Sequence, residues 1–128
     1  MNYINVIAVL AVFQLVFFSI LVGRARVAHG IEAPAVSGHE MFERAYRVQM
    51  NTLEQIVAFL PALFIAAQYW PAAYVAAVGT IYLLGRVIYW RSYMSAPSSR
   101  SLGFGLSALP TLVLLLAALI GAVAKGAA

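Results

Sequence analysis

Four apolar stretches, each close to the length that crosses a bilayer, leave this chain few folds to choose from. A membrane-spanning helix needs about 20 apolar residues, because every backbone N–H and C=O must be satisfied within the segment where no water is present. Residues 3–27, 40–69, 72–95 and 102–124 meet that requirement, and Gly30, Pro34, Gly38, Pro71 and Pro97 punctuate the pieces between them. The expected architecture is a single all-α integral membrane domain over residues 1–128, a bundle of four transmembrane helices. With 64% hydrophobic and 9% charged residues, the chain does not read as a soluble domain.

The first stretch is apolar apart from Asn5, Gln14 and Ser19. It lacks the positive leader of a secretory signal, and Arg24 and Arg26 follow it directly, so it reads as a retained helix. A loop is expected from Val27 to Gly38, containing His29, with His39 just beyond it. Seven of the eight basic residues fall in or beside this loop and the one around Pro97–Ser101. By the positive-inside rule both loops are cytoplasmic and both termini are outside. The basic residues form no continuous patch, so nucleic acid is not an expected partner. There is no cysteine, and the two histidines have no ligand spacing around them, so no metal is expected.

The second stretch opens with charge. At 100° per residue, Glu40, Glu43, Arg47, Asn51 and Glu54 fall within one arc narrower than a quarter-turn. Lipid penalises such a face by a few kcal/mol per charge, so it is expected to point at protein or at a water-filled pocket. Pro61 lies on the same side, where a kink is possible. In the third stretch Tyr82, Arg86, Tyr89 and Tyr93 recur at spacings of four, three and four and share one face. Arg86 lies roughly two turns inside the helix and calls for a carboxylate or a water channel. Arg91 points elsewhere, toward lipid headgroups. Tyr69, Trp70 and Tyr74 read as an aromatic belt at the far interface.

These residues do not assemble a hydrolase, since no serine stands with a base and no two carboxylates face each other across a bond. They suit a small zwitterion with more negative than positive charge. Arginines clamp carboxylates, Glu54 can hold an ammonium, and Arg100 or a tyrosine hydroxyl could stabilise a thiolate. Glutathione has those features, and so far other anionic metabolites share enough of them to stay in play.

The run Phe42-Glu43-Arg44-Ala45-Tyr46-Arg47-Val48-Gln49-Met50-Asn51-Thr52-Leu53-Glu54 resembles the signature of the MAPEG family, membrane-associated proteins in eicosanoid and glutathione metabolism. Arg86-Val87-Ile88-Tyr89-Trp90-Arg91-Ser92-Tyr93 is similar to the third-helix motif of the family's leukotriene-synthase and glutathione-transferase branches. The resemblance implies a four-helix subunit in a homotrimer, with glutathione bound between subunits near the cytoplasmic face. It implies that Arg47, Asn51, Glu54, Tyr89 and Tyr93 line the glutathione site from one subunit. Arg26 and Gln49 would reach a site at a subunit boundary, and Arg100 would activate the thiol. Gln55 stands where the leukotriene branch has a tyrosine, and Met50 where the prostaglandin branch has an arginine.

The resulting expectation is a multi-pass protein of a bacterial inner membrane that uses glutathione as co-substrate. It would act as a transferase or peroxidase on a lipophilic electrophile or lipid hydroperoxide arriving from the bilayer. Two other readings are weighed against it. One is a non-catalytic lipid-binding scaffold of the same fold. The other is a small four-helix transporter coupled through Glu54, disfavoured because the first span has no acid and the charge bias is strong.

Overall fold

A computed structural model of the chain describes residues 1–126. It is all-helical: α1 (Tyr3–His29), α2 (Glu40–Tyr69), α3 (Ala72–Ser95) and α4 (Ser101–Ala124), with one 3₁₀ turn, Pro97–Ser99, ahead of α4. All four long helices have the length and apolarity to cross a membrane. The expected domain extends two residues beyond those described.

Local chemistry sets the helix ends. Asn2 caps α1 by accepting the Asn5 N–H at 3.0 Å. The helix continues through Val27, where a loop was expected, and stops at His29 because Gly30 takes φ +66°. That left-handed residue directs the N–H of Ile31 back to the Arg26 carbonyl at 3.0 Å. The His39 Nδ1 accepts from the Met41 N–H at 3.1 Å and opens α2, with Glu40 and Glu43 in its positive first turn. The His29 and His39 rings stack at 3.6 Å, bringing the two ends of the first loop together. Helix α2 runs unbroken through Pro61. Around Pro97, the expected open loop is instead the 3₁₀ turn, and α4 begins at Ser101.

The spans pack through a few close contacts. The Phe59 and Tyr82 rings lie 3.8 Å apart and nearly parallel, joining α2 to α3. Gln14, the mid-span polar residue of α1, donates to the Leu83 carbonyl at 2.9 Å, so its amide serves as glue between helices. Helices α3 and α4 touch backbone to backbone. A Cβ on Gly85 would lie 2.6 Å from the Leu106 carbonyl carbon, and one on Gly103 would overlap the backbone of Tyr89. At the end holding the α2–α3 turn, the Trp70 indole donates to the Ala117 carbonyl at 2.8 Å. There the Lys125 ammonium donates to the Tyr69 carbonyl at 2.7 Å and sits 4.2 Å over the Trp70 ring. The up-and-down connectivity gathers the end of α1, the start of α2, the end of α3 and the start of α4 at the opposite, basic end.

Candidate functional site

The site is built around Arg86, which is 0% exposed. Its Nε donates to the Ser107 Oγ at 2.8 Å, and one terminal nitrogen donates to the Asn51 Oδ1 at 2.8 Å and the Thr52 Oγ1 at 3.2 Å. The guanidinium also lies 4.4 Å from the centre of the Tyr89 ring. A carboxylate or a water channel is expected beside a charge at this depth; the structure supplies neutral acceptors from two other helices and an aromatic face. A hydrogen bond to a charged donor contributes about 1.5–3 kcal/mol, so three of them offset much of the cost of holding the cation out of water. The other terminal nitrogen has no partner among the described residues.

One turn toward the basic end, Tyr89 is buried, and Tyr93 stacks on it at 5.6 Å between centroids. Three of the residues singled out in the sequence are thereby gathered: Asn51 with Tyr89 through Arg86, then Tyr93. Glu54 and Arg47 form an ion pair of their own at 3.5 Å, the two side chains being 58% and 50% exposed. The polar stripe of α2 was expected to face protein or a pocket. Within one subunit only Asn51 does so, while Glu40, Glu43, Arg47 and Glu54 lie on the uncovered side of the helix.

The remaining candidates stand apart from this cluster within the subunit. Arg26 is half-buried, donates to the Ala35 carbonyl at 2.7 Å and lies 4.8 Å over the Phe42 ring, so it braces the first loop. Gln49 points away from the Arg47 face, as expected, and donates to the Ser19 Oγ of α1 at 3.0 Å. Arg100 is exposed at the junction between the 3₁₀ turn and α4, and its guanidinium donates to the Pro97 carbonyl at 2.9 Å. Arg91 is exposed, 5.6 Å from the Trp90 ring, at the rim of an apolar groove between α1, α2 and α3.

The sequence argument missed three supporting residues. Thr52 and Ser107 accept from Arg86, and Arg44 donates to the terminal carbonyls of α3, Met94 at 2.8 Å and Ser95 at 3.2 Å, while pairing with Glu40. The signal for Ser107 was present: with Thr111 it is a polar pair four residues apart inside an apolar span.

Comparison with known proteins meets this geometry from another side. The MAPEG family model matches residues 4–120, which take in all the cluster residues. An uncharacterized protein of Synechocystis is 42% identical over 114 residues, covering 89% of this chain and 83% of that protein. The microsomal glutathione S-transferase 2 of Homo sapiens is 34% identical over 101 residues, 79% of this chain and 69% of that protein. The leukotriene C4 synthase of Cavia porcellus is 34% identical over 118 residues, 92% of this chain and 79% of that protein. Since the match runs from the first span into the last and includes both halves of the Arg86 cluster, this chain belongs to the MAPEG family.

Proposed function

We propose that the protein is a glutathione-dependent membrane transferase, with peroxidase activity on lipid hydroperoxides as a second use of the same thiolate. The observation that carries this reading is the Arg47–Glu54 pair on the α2 stripe, whose Asn51 is tied through the buried Arg86 to Tyr89 and Tyr93, with Arg100 exposed at the same end of the bundle. Such a set offers two-pronged cations for carboxylates, one carboxylate for an ammonium, and hydroxyl and cationic groups for a thiolate. Glutathione carries all three kinds of group. The membrane relatives named as a glutathione S-transferase and a leukotriene synthase support the assignment.

In this mechanism Arg47 and Glu54 exchange their mutual contact for the ligand's carboxylate and ammonium. The thiol gives up its proton to solvent water, and Arg100 holds the resulting thiolate. The sulfur then attacks an electrophilic carbon and forms a thioether, as an epoxide C–O bond opens, an activated C=C bond gives up its π pair or a leaving group departs as an anion, and water protonates the anion formed. With a lipid hydroperoxide it attacks the peroxide oxygen, releasing the alcohol, and a second glutathione reduces the oxidised sulfur to the disulfide. Part of the rate comes from proximity, as the bilayer concentrates one substrate and the site orients the other. The groove between α1 and α2, about 390 Å³ and walled by Val12, Val16, Leu60 and Phe64, has the apolar character such a lipophile requires.

The uncovered charged stripe of α2 supports assembly. Three of its charges, Glu43, Arg47 and Glu54, lie along a helix that enters the membrane, at about 2.5–3.5 kcal/mol each if a mid-span charge met lipid. A homotrimer would cover that stripe and bring Arg26 and Gln49 of one subunit to the site of the next. The site then lies at the cytoplasmic face, of the inner membrane in a bacterial cell.

The test is titration of purified protein with glutathione, followed by a panel of electrophiles and a lipid hydroperoxide. Saturable binding with thioether formation is expected. Binding without turnover would support the non-catalytic scaffold, and no binding would end the glutathione reading.

A further inference from the structure

The hydrogen bonds around Arg86 run in one direction only. Thr52 donates its hydroxyl proton to the Val48 carbonyl at 2.8 Å, and Ser107 donates its own to the Gly103 carbonyl at 2.8 Å. Both hydroxyl protons are thus committed within their own helices, leaving lone pairs for the guanidinium, which can donate but never accept. The third acceptor is the Asn51 oxygen. An asparagine amide presents oxygen on one side and NH₂ on the other, in nearly the same shape, and its neighbours decide which way it faces. Here the neighbour accepts no hydrogen bond, so the oxygen is held inward and the NH₂ is left as the outward group. No hydrogen bond from that NH₂ is made to any described residue. The same guanidinium lies over Tyr89, so one buried cation fixes two members of the cluster.

We infer that Arg86 is a positioning residue that locks Asn51 as an obligate hydrogen-bond donor, so that the site selects a ligand acceptor, a carboxylate or peptide carbonyl, at that point and rejects an N–H there. This rests on the reading that Asn51 faces bound glutathione. The lock joins three helices, α2 through Asn51 and Thr52, α3 through Arg86 and α4 through Ser107. Arg86 itself is enclosed and offers the ligand no accessible surface in this subunit.

Asn51→Asp separates positioning from packing. The new carboxylate would pair with Arg86 and leave the helices tied together, yet its second oxygen would present an acceptor where a donor stood. A purely structural Asn51 predicts unchanged or better folding with unchanged binding. The experiment measures glutathione affinity by calorimetric titration of the full-length detergent-purified protein, with melting temperature as the folding control. Wild type, Asn51→Asp, Arg86→Met and Arg86→Lys are compared.

The expected result is an Asn51→Asp protein that melts no lower than wild type but binds glutathione at least about tenfold more weakly. Arg86→Met weakens binding to a similar degree, Arg86→Lys recovers part of it by donating to the Asn51 oxygen, and in turnover the change falls on KM for glutathione more than on kcat. Wild-type affinity in a folded Asn51→Asp or Arg86→Met protein would overturn the inference while leaving the glutathione reading intact. Should Arg86→Met fail to fold, Asn51→Asp decides alone. A wild-type protein that shows no glutathione binding would instead remove the proposed function, and this inference with it.

Discussion

Arg47 and Glu54 stand two turns apart on α2 and hold each other at 3.5 Å on the face that the subunit leaves uncovered. Seven residues of helix rise by about 10 Å, so both long side chains must lie along the helix to meet. An exposed pair of this kind contributes only about 0–1 kcal/mol to stability. It is better suited to ligand exchange than to holding the fold, because a zwitterion can replace both partners at once without leaving a charge unmatched.

In the proposed trimer, where the stripe is covered, Arg47→Ala is expected to weaken glutathione binding by about 2–5 kcal/mol, the usual cost of removing one partner from a desolvated charge pair. Melting of the unliganded protein should fall little. Glu54→Gln is the companion variant, with a smaller loss confined to ligands that carry the amino group. Calorimetric titration with glutathione and with its des-amino analogue checks both, and unchanged dissociation constants would assign the pair to the protein's own structure.

Arg100 gives the second prediction. Among the described residues its guanidinium makes one hydrogen bond, to the Pro97 carbonyl three residues back, and the side chain is exposed and can turn toward a ligand. Arg100→Ala is expected to bind glutathione almost normally while the thiol of the bound ligand titrates at higher pH. A cation that favours the thiolate holds its pKa down, and removing that cation raises it. Each unit is worth about 1.4 kcal/mol, and turnover near neutral pH falls with the thiolate fraction. Thiolate absorbance against pH in the two proteins is the measurement. Superimposable curves with equal turnover would make Arg100 a basic residue of the loop and nothing more.

The third concerns packing behind the site. A methyl group on Gly85 would meet the backbone of Leu106 and Ser107, at 2.6–2.8 Å, where no rotamer change can relieve the contact. Gly85→Ala should cost about 1–3 kcal/mol and push α4 away from Arg86, loosening the bond to Ser107. The expected readout is a lower melting temperature accompanied by weaker glutathione binding. Gly105→Ala on α4, where an added Cβ meets nothing within 4 Å, is the control and should leave both unchanged.

The fourth is orientation. Both termini are expected outside and both polar loops in the cytoplasm, from the charge asymmetry. Reporter fusions after Lys125 that work only outside the cytoplasm would agree. Activity confined to the cytoplasm would move the site to the other face.

The four spans were legible because apolar length in a bilayer admits little else, and the turn at Trp70–Pro71 was legible because its proline follows directly on interfacial aromatics, whereas Pro61 and Pro110 lie inside helices. The end of α1 was not, since the break depends on Gly30 adopting φ +66°, and Val27 to His29 carry no signal against helix. At the site, periodicity put Arg47, Asn51 and Glu54 on one face and Tyr89 with Tyr93 on another, and within the subunit the two meet only at Asn51, through Arg86. What periodicity could not supply was the depth of Arg86. A charge within a span suggests an opposite charge, and the solution found is three neutral oxygens on two other helices, a matter of which residues meet across helices. Thr52 and Ser107 lie on different helices, and only the packing of both against α3 shows that they share Arg86.

The backbone contact between α3 and α4 also determines how freely α4 can drift in sequence. Its inward positions Gly103, Ser107, Thr111, Leu114 and Ala118 are buried, and they recur every three or four residues. Between them, Leu109, Leu112, Leu116 and Leu119 are exposed on the outer side. Because the spacing of the two helices is set by main-chain atoms, the outer leucines carry no information about where Tyr89 sits. A saturation library over residues 101–124 should therefore accept almost any apolar residue at the four leucines and almost none but the native one at Gly103 and Ser107. Along a single helix, interchangeable and irreplaceable positions would then alternate with the helical repeat.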